Sequence, residues 1–443
     1  MHTGCMHLDM TLNYNFQAPY FGAFSSNHVD LLAPYWQAII EMVPQGKKDA
    51  EAYNCSGVHL PGHIAPFGQV NHGDMGQHTD AIFAAMHFVN HWKHTHDPDF
   101  FKNVSFPYLK LVADWWTCWL KPSTTPNGTK IYNDEPDCTR EGCAMGPSPN
   151  KNPAIAVTFI KFLFSHLVET AAMSGISPAT LSQWTDVRDH IAPAPIGLFD
   201  SAMKGKGSNT APTCSPEDDP NCSTVLLPQE WPYYWQVGDN PLQLYAIYPG
   251  EQVGIHSGPM QQVAANTVVQ LNAWQQQNSF PVVFPAAVRA GVNFSLINSQ
   301  LEMRIQGEMP PNGYLNQGGG GIETAGGLLA VTEMLLQSWD GVLRLFPLWS
   351  GDDASFQSLR SVGAFLVSAS LSNHSVHGVE IWSEAGELCR LQSPWGGGPI
   401  VVRDGAGAAV TATKTAGSHD VFAFATQPGE SYSVVDASDL HHL

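Results

Sequence analysis

The sequence predicts a mainly α fold, an α/α toroid of the (α/α)6 type, followed by a small antiparallel β-sandwich. Three observations carry this expectation. Apolar residues recur at helical spacing through residues 28–340, long Gly/Pro/Asn/Asp-rich segments separate the helical stretches, and the apolar period changes to two after about residue 348. The boundary is placed there, with a toroidal domain over 1–348 and a β-domain over 349–443.

The first helical stripe is Leu31, Leu32, Tyr35, Trp36, Ile39, Ile40 and Val43, and a second is Leu109, Val112, Trp116 and Trp119. Asn152-Pro153 reads as a cap followed by a first-turn proline, opening a helix whose face carries Ile155, Phe159, Phe162, Leu163 and Leu167. Ser177-Pro178 repeats the device before Leu181, Trp184, Val187 and Ile191. Further helices are expected near 79–95, 259–275, 281–300 and 326–338. Long loops are expected at 54–77, 121–151, 204–230 and 307–325. An ordinary bundle has short connections, whereas paired helices with long loops suit a toroid whose inner-helix ends and loops build a funnel. Beyond 348, Phe365, Val367, Ala369 and Leu371 alternate, a turn follows at Ser372–Ser375, and Val379, Ile381 and Trp382 resume.

The 443-residue chain carries 39 acidic and 20 basic residues, a formal charge of −19, which opposes nucleic-acid phosphates and anionic membranes. No apolar run is long enough to span a bilayer. Charged residues are only 13% while aromatics are 10%, a composition suited to stacking flat pyranose faces as well as to filling a helical core. Sequons stand at Asn54, Asn103, Asn127, Asn221, Asn293 and Asn373, where chance supplies about three. With eight cysteines, two of them close pairs (Cys138/Cys143 and Cys214/Cys222) that read as local disulfides, they suggest a secreted protein. The opening MHTGCMHLDM lacks the regions of a signal peptide, so a missing true N-terminus is expected.

Candidate chemistry lies in the loops. Asn13 and Asn15 stand two apart in LNYNFQAPYFGAF, and share a face if that segment is extended. Glu135 and Glu141 lie in IYNDEPDCTREGC, and Glu323 in NQGGGGIETAGG. His59 and His63 in GVHLPGHIAPFG are placed to bond hydroxyl groups; His72 and His78 share that loop region. His87 and His91 are four apart, but no Glu follows in the metalloprotease pattern. The glycines 318–321 precede no Lys-Ser/Thr, so they are not a phosphate loop. No G-x-S-x-G elbow is present.

Taken in order, these segments resemble glycoside hydrolase family 95, a family of inverting α-L-fucosidases and α-L-galactosidases. The resemblance rests on Asn13-Tyr14-Asn15 with Tyr20-Phe21, on DCTREGC followed by NPAIAVTFIKFLF, and on IETAGGLLAVTEMLLQS followed by LRLFPLW. It implies Glu141 as general acid, with Glu135 the rival, and Glu323 as general base acting on water through Asn13 and Asn15. His59, His63, Gln17 and Tyr20 would contact substrate. An inverting site separates its carboxyls by roughly 6.5–9.5 Å to admit water, which suits residues from distant parts of the chain. Glu141 is expected to stay protonated near neutral pH through burial or neighbouring negative charge. No metal and no cofactor is called for. The partner is an oligo- or polysaccharide, with neither nucleic acid nor membrane.

Two features differ from the family pattern. The base is usually Asp, and members carry a large N-terminal β-domain and a first helix ahead of the paired asparagines. The chain begins about a dozen residues before Asn13, so a truncated toroid is expected. Alternatives are a toroidal glycosidase of other sugar specificity, a phosphorylase (disfavoured because the candidate segments are poor in Arg and Lys), and a non-catalytic carbohydrate-binding relative.

Overall fold

A computed structural model of the chain describes residues 10–70, 76–139, 150–200, 214–220, 222–230, 240–276, 278–308, 326–418 and 420–438. With 42% helix and 22% sheet it is mixed rather than mainly α. The helices come first: α1 (Ala33–Glu41), α2 (Val43–Ala52), α3 (Asp80–Thr95), the single turn α4 (Pro98–Phe100), α5 (Phe106–Trp119), α6 (Ala154–Glu169), the short α7 (Ala171–Ser174) and α8 (Pro178–His190). After them come α9 (Pro259–Leu271), α10 (Phe280–Ala290), α11 (Phe294–Glu308) and α12 (Leu329–Leu335).

Burial separates these helices into two kinds. In α3 the run Asp80–Val89 is buried, in α6 nearly every residue from Ala154 to Leu167, and in α10 all eleven residues. A helix apolar on every side must be surrounded by others. Accordingly α6 packs against α3, α5 and α8, and α10 against α9, α11 and α12. By contrast α8 buries only Trp184 and Val187, and its Ser177 caps the N-terminus as expected, with Oγ accepting from Thr180 N at 3.1 Å.

Several boundaries move. The first stripe narrows to Leu32, Tyr35, Ile39 and Met42, while Leu31 and Ile40 face outward. The helix expected over 281–300 is two, because Gly291 adopts φ 75° and closes α10. Asn152 does not cap α6; the N-cap position is Pro153. The Asn152 side chain is drawn away by stronger demands. Its Oδ1 accepts from Asp134 N at 2.9 Å, and its Nδ2 donates to Asn133 Oδ1 at 2.9 Å and to Glu230 Oε1. The long loops also hold strands: His63–Ala65 pairs with Met10–Thr11, Lys121–Thr124 with Lys130–Asn133, and Ile196–Asp200 with Cys222–Leu226.

From residue 354 the chain builds two antiparallel sheets. Six strands run in the order Ala354–Ser361, Phe365–Ser372, Ser375–Ser383, Glu430–Asp436, Ile400–Asp404, Ala409–Val410. Three more run in the order Cys389–Gln392, Val421–Phe424, Thr413–Lys414. Alternation sends Phe365, Val367, Ala369, Val379 and Ile381 inward, and therefore Trp382 outward at 42% exposure. One core gathers residues from Leu12 to Met334, and a second gathers Leu336, Leu343 and Leu345 with Val367, Ile381, Leu391, Phe424 and Val434 of both sheets. Arg360 clamps the β-region to the helices, pairing with Glu384 while donating to Asn27 Oδ1 and His94 O, each at 2.9 Å.

The expected Cys214–Cys222 bridge is formed; Cys143 of the other expected pair lies outside the described residues. A bridge not foreseen, Cys55–Cys118, ties the end of α2 to the last turn of α5 across 63 residues. Closing so long a loop restricts the unfolded chain, and the chain-entropy model puts the effect at about 4 kcal/mol. Cys118→Ser is therefore expected to lower unfolding free energy by about that amount in urea titrations; an unchanged midpoint would show that the unfolded chain gains little freedom. No helix of the described residues is long and apolar enough to cross a membrane.

Candidate active site

The segments that lead into three helices converge on one turn of chain near the N-terminus. After the strand Met10–Thr11 the backbone coils: Phe16 N donates to Thr11 O at 2.9 Å and Ala18 N to Tyr14 O at 2.8 Å. The segment is therefore not extended, and two-residue alternation does not put Asn13 and Asn15 on a common face. Asn13 is buried with Nδ2 3.4 Å from Gln77 Oε1, in the segment entering α3, while Asn15 is half-buried. Tyr14 Oη donates to Asn278 Oδ1 at 2.6 Å, two residues before α10. Gln17 is fully buried, with Nε2 on Leu12 O and its own carbonyl on His87 Nε2 at 3.0 Å. It braces this turn from within. Tyr20 is half-buried and packs edge-on against Phe16 and Tyr35.

The third segment is the glycine pair at 326–327, ahead of α12. A Cβ at Gly326 would stand 2.5 Å from Ala18 O and 3.0 Å from Phe21 Cδ2. At Gly327 it would stand 2.5 Å from the Phe280 ring. Only glycine lets the two backbones approach this closely. Gly326→Ala is expected to push the Ala18–Phe21 turn outward, costing about 1–3 kcal/mol of stability and, by displacing Asn13 and Asn15, about 10²-fold in turnover. Thermal melting alongside kcat on an aryl glycoside tests this; full activity would mean that the contact positions nothing.

On the other side lie the histidines and the acidic loop. His59 and His78 are both buried, with Nε2 of the first 3.1 Å from Nδ1 of the second. Tyr53, Trp115 and Trp119 wall this pair, with the His78 and Trp119 rings 4.4 Å apart. His63 sits on the strand beside Thr11, its Nδ1 3.4 Å from Thr11 Oγ1. His87 and His91 part ways: the first meets Gln17 O, and the second stacks on Phe100 at 3.8 Å. Burial pushes both rings down to about 4, so they stay neutral at ordinary pH.

Glu135 is exposed, whereas its neighbours Asp134 and Asp137 are buried. Asp137 Oδ1 accepts from His78 N at 2.9 Å and Cys138 N at 2.6 Å, and Asp134 Oδ1 accepts from Trp119 Nε1 at 2.9 Å. Cys138 N also reaches Gly76 O at 3.1 Å. Thr139 N donates to Asn150 Oδ1 at 3.1 Å, and its hydroxyl to Gln229 Oε1. A continuous line of contacts thus runs from Asn13 through Gln77 and His78 to Asp137, Cys138 and Thr139. The sequence reading missed Gln77, Asp134, Asp137, Asn152, Gln229 and Asn278; the two aspartates stood in view in IYNDEPDC but were passed over for the glutamates. Glu141, Glu323, His72 and the glycines 318–321 lie outside the described residues.

Amides, imidazoles and carboxyls thus gather beside stacked indoles, at the N-terminal ends of buried helices. Residues 6–203 match the family model described as the glycosyl hydrolase family 95 catalytic domain, so this stretch of the chain is similar to that domain. The match takes in Asn13, Asn15 and Glu141 and ends before Glu323. No curated protein matches the chain. Among solved structures, a protein described as a kojibiose phosphorylase from the human microbiome aligns with TM-score 0.48 and 11% identity, over 86% of this chain and 57% of that one. The α-L-rhamnosidase of Streptomyces avermitilis, complexed with L-rhamnose, aligns with TM-score 0.46 and 12% identity, over 96% of this chain and 38% of that one. The chain thus spans little more than half of one of these proteins and under two fifths of the other.

Proposed function

We propose that the protein is an inverting exo-glycoside hydrolase that removes a terminal α-L-fucosyl or related sugar from an oligo- or polysaccharide. Glu141 protonates the leaving oxygen. Glu323 activates water held by Asn13 and Asn15 against the anomeric carbon. The observation that carries this reading is the family-model match over residues 6–203, which takes in Asn13, Asn15 and Glu141. An acid and a base drawn from distant parts of the chain suit an inverting geometry, which leaves room for water between them.

His59 and His63 serve from behind the surface in this reading, orienting the loop that carries them, and Tyr20 offers its half-buried ring to the sugar. The fully buried helices α3, α6 and α10, with α5, α8, α9 and α11 outside them, favour a toroid, and the two sheets sharing one core favour a β-sandwich after it. The division proposed near 348 has Leu336, Leu343, Leu345 and Phe346 ahead of it already packed in the second core. Secretion and N-glycosylation are supported by the disulfides and by the exposure of Asn54, Asn103, Asn127, Asn293 and Asn373.

The test is a panel of aryl α-L-fucoside, α-L-galactoside and α-glucoside, with the anomer of the first-formed sugar read by NMR. Release of the β-anomer from the fucoside or galactoside is expected. Release of the α-anomer overturns inversion, and turnover of the glucoside alone overturns the fucosyl assignment.

A further inference from the structure

We infer that Asp134 and Asp137 share one proton between their Oδ2 atoms, and that this bridge is the clasp that positions the acidic loop of the site against the segment entering α3. The positioning role rests on the glycosidase reading above; the shared proton does not.

Both carboxyls are buried, three residues apart in one loop, and each acts on the charge of the other. On each, one oxygen is served by donors: Trp119 Nε1 for Asp134, and the His78 and Cys138 amides for Asp137. The remaining Oδ2 of each is buried without a donor among the described residues. Two such oxygens facing each other repel when both acids are ionised, and one proton between them satisfies both. Burial and the charge of Asp134 push the Asp137 carboxyl well above the usual carboxylate range. Burial also raises Asp134, against the opposing pull of the Asp137 hydrogen bond and of His78. Both directions favour keeping one proton in the pair. Around the pair, His78 faces it from the α3 entry with His59 behind, the exposed Glu135 lies between the two acids, and Glu230, paired with Lys151 at 3.1 Å, shares Asn152 with the Asp134 backbone.

The sequence places Asp134 two residues before Pro136 and Asp137 one after it, and everything they hold belongs to the proposed site. Asp137 fixes His78 and Cys138; Asp134 is fixed by Trp119 and, through its backbone, by Asn152. Loss of the shared proton leaves two like charges in contact, and the 134–139 loop is pushed from residues 76–78. A group whose folded pKa is raised adds stability at low pH that disappears as pH rises through the folded value. The fall begins near the ordinary Asp value of 3.8 and continues upward.

The experiment compares the full-length protein with D137N and D137L. In D137N the amide oxygen accepts from His78 N and Cys138 N, and Nδ2 donates to Asp134 Oδ2, so the bridge forms without a proton. Infrared spectroscopy at neutral pH is expected to show a protonated-carboxyl band in the wild type that is missing in D137N. Unfolding midpoints of the wild type should decline with rising pH more steeply than those of D137N. With an aryl glycoside, the alkaline fall of kcat/KM should move up by about one pH unit in D137N, and D137L should lose about tenfold or more in kcat with KM little changed. Identical infrared bands and parallel pH–stability curves for wild type and D137N overturn the shared proton. An unmoved alkaline limb overturns the positioning role. If the wild type hydrolyses none of the glycosides, the positioning role falls with the glycosidase reading, while the infrared and stability measurements still decide the proton.

Discussion

Glu141→Gln is expected to lower turnover of an aryl α-L-fucoside by about 10²–10⁴-fold, with sugar affinity within a few-fold of the wild type. Gln keeps the shape and a hydrogen bond to the glycosidic oxygen but has no proton to give. The loss should shrink for a substrate whose leaving group is a strongly acidic phenol, because such a group departs with little protonic assistance. That leaving-group dependence separates acid catalysis from a folding defect, which would depress all substrates alike. Wild-type rates in the variant would remove Glu141 from the mechanism. A large loss in Glu135→Gln that shrinks with acidic leaving groups, with no loss in Glu141→Gln, would move the role to the exposed neighbour.

The second large effect is on stability. Arg289, in the last turn of α10, is buried and meets Glu333 of α12 with Nη2–Oε1 at 2.7 Å and Nε within 3.2 Å of both oxygens. Its Nη1 lies 3.6 Å from Glu251, which Lys93 of α3 engages from the other side. The guanidinium also stacks over Tyr248 at 4.8 Å. Burial works against the charge, yet the two glutamates outweigh it and raise the Arg289 pKa further. Arg289→Met leaves Glu333 buried without its cation, and the expected loss is about 3–5 kcal/mol. Arg289→Met with Glu333→Leu removes the stranded charge as well, and should recover a substantial part of that loss. Urea midpoints for the two single variants and the double variant form the test. A double variant that falls by the sum of the two single losses would show that the ions act independently and not as a pair.

Part of this architecture is readable along the chain because local periodicity reports burial. The stripe through Tyr35 and Ile39, the core helix opening after Pro153, the Ser177 cap and the strand through Phe365 and Val367 each depend on neighbours three, four or two residues away. The acidic loop and the paired asparagines were likewise visible as polar residues set in apolar sequence. What escaped detection had its cause elsewhere in the fold. Asn152 looks like a cap in isolation, but its side chain answers to Asn133, Asp134 and Glu230. Gln17 looks available for substrate, yet a coiled turn folds it back on Leu12.

By itself, then, the sequence determined the main helices, the C-terminal strands with the faces they bury, and which family the segment 6–203 resembles, because these follow from short-range pattern and motif. Only the tertiary structure decided which polar groups meet. It joined Cys55 to Cys118, set the Glu333 of EMLLQS against Arg289, pressed Gly326 onto Ala18, and brought Asp134 and Asp137 together out of water. The reason is physical. A buried charge, amide or thiol is tolerated only beside a partner, and that partner is chosen by how distant segments pack, which no local pattern encodes.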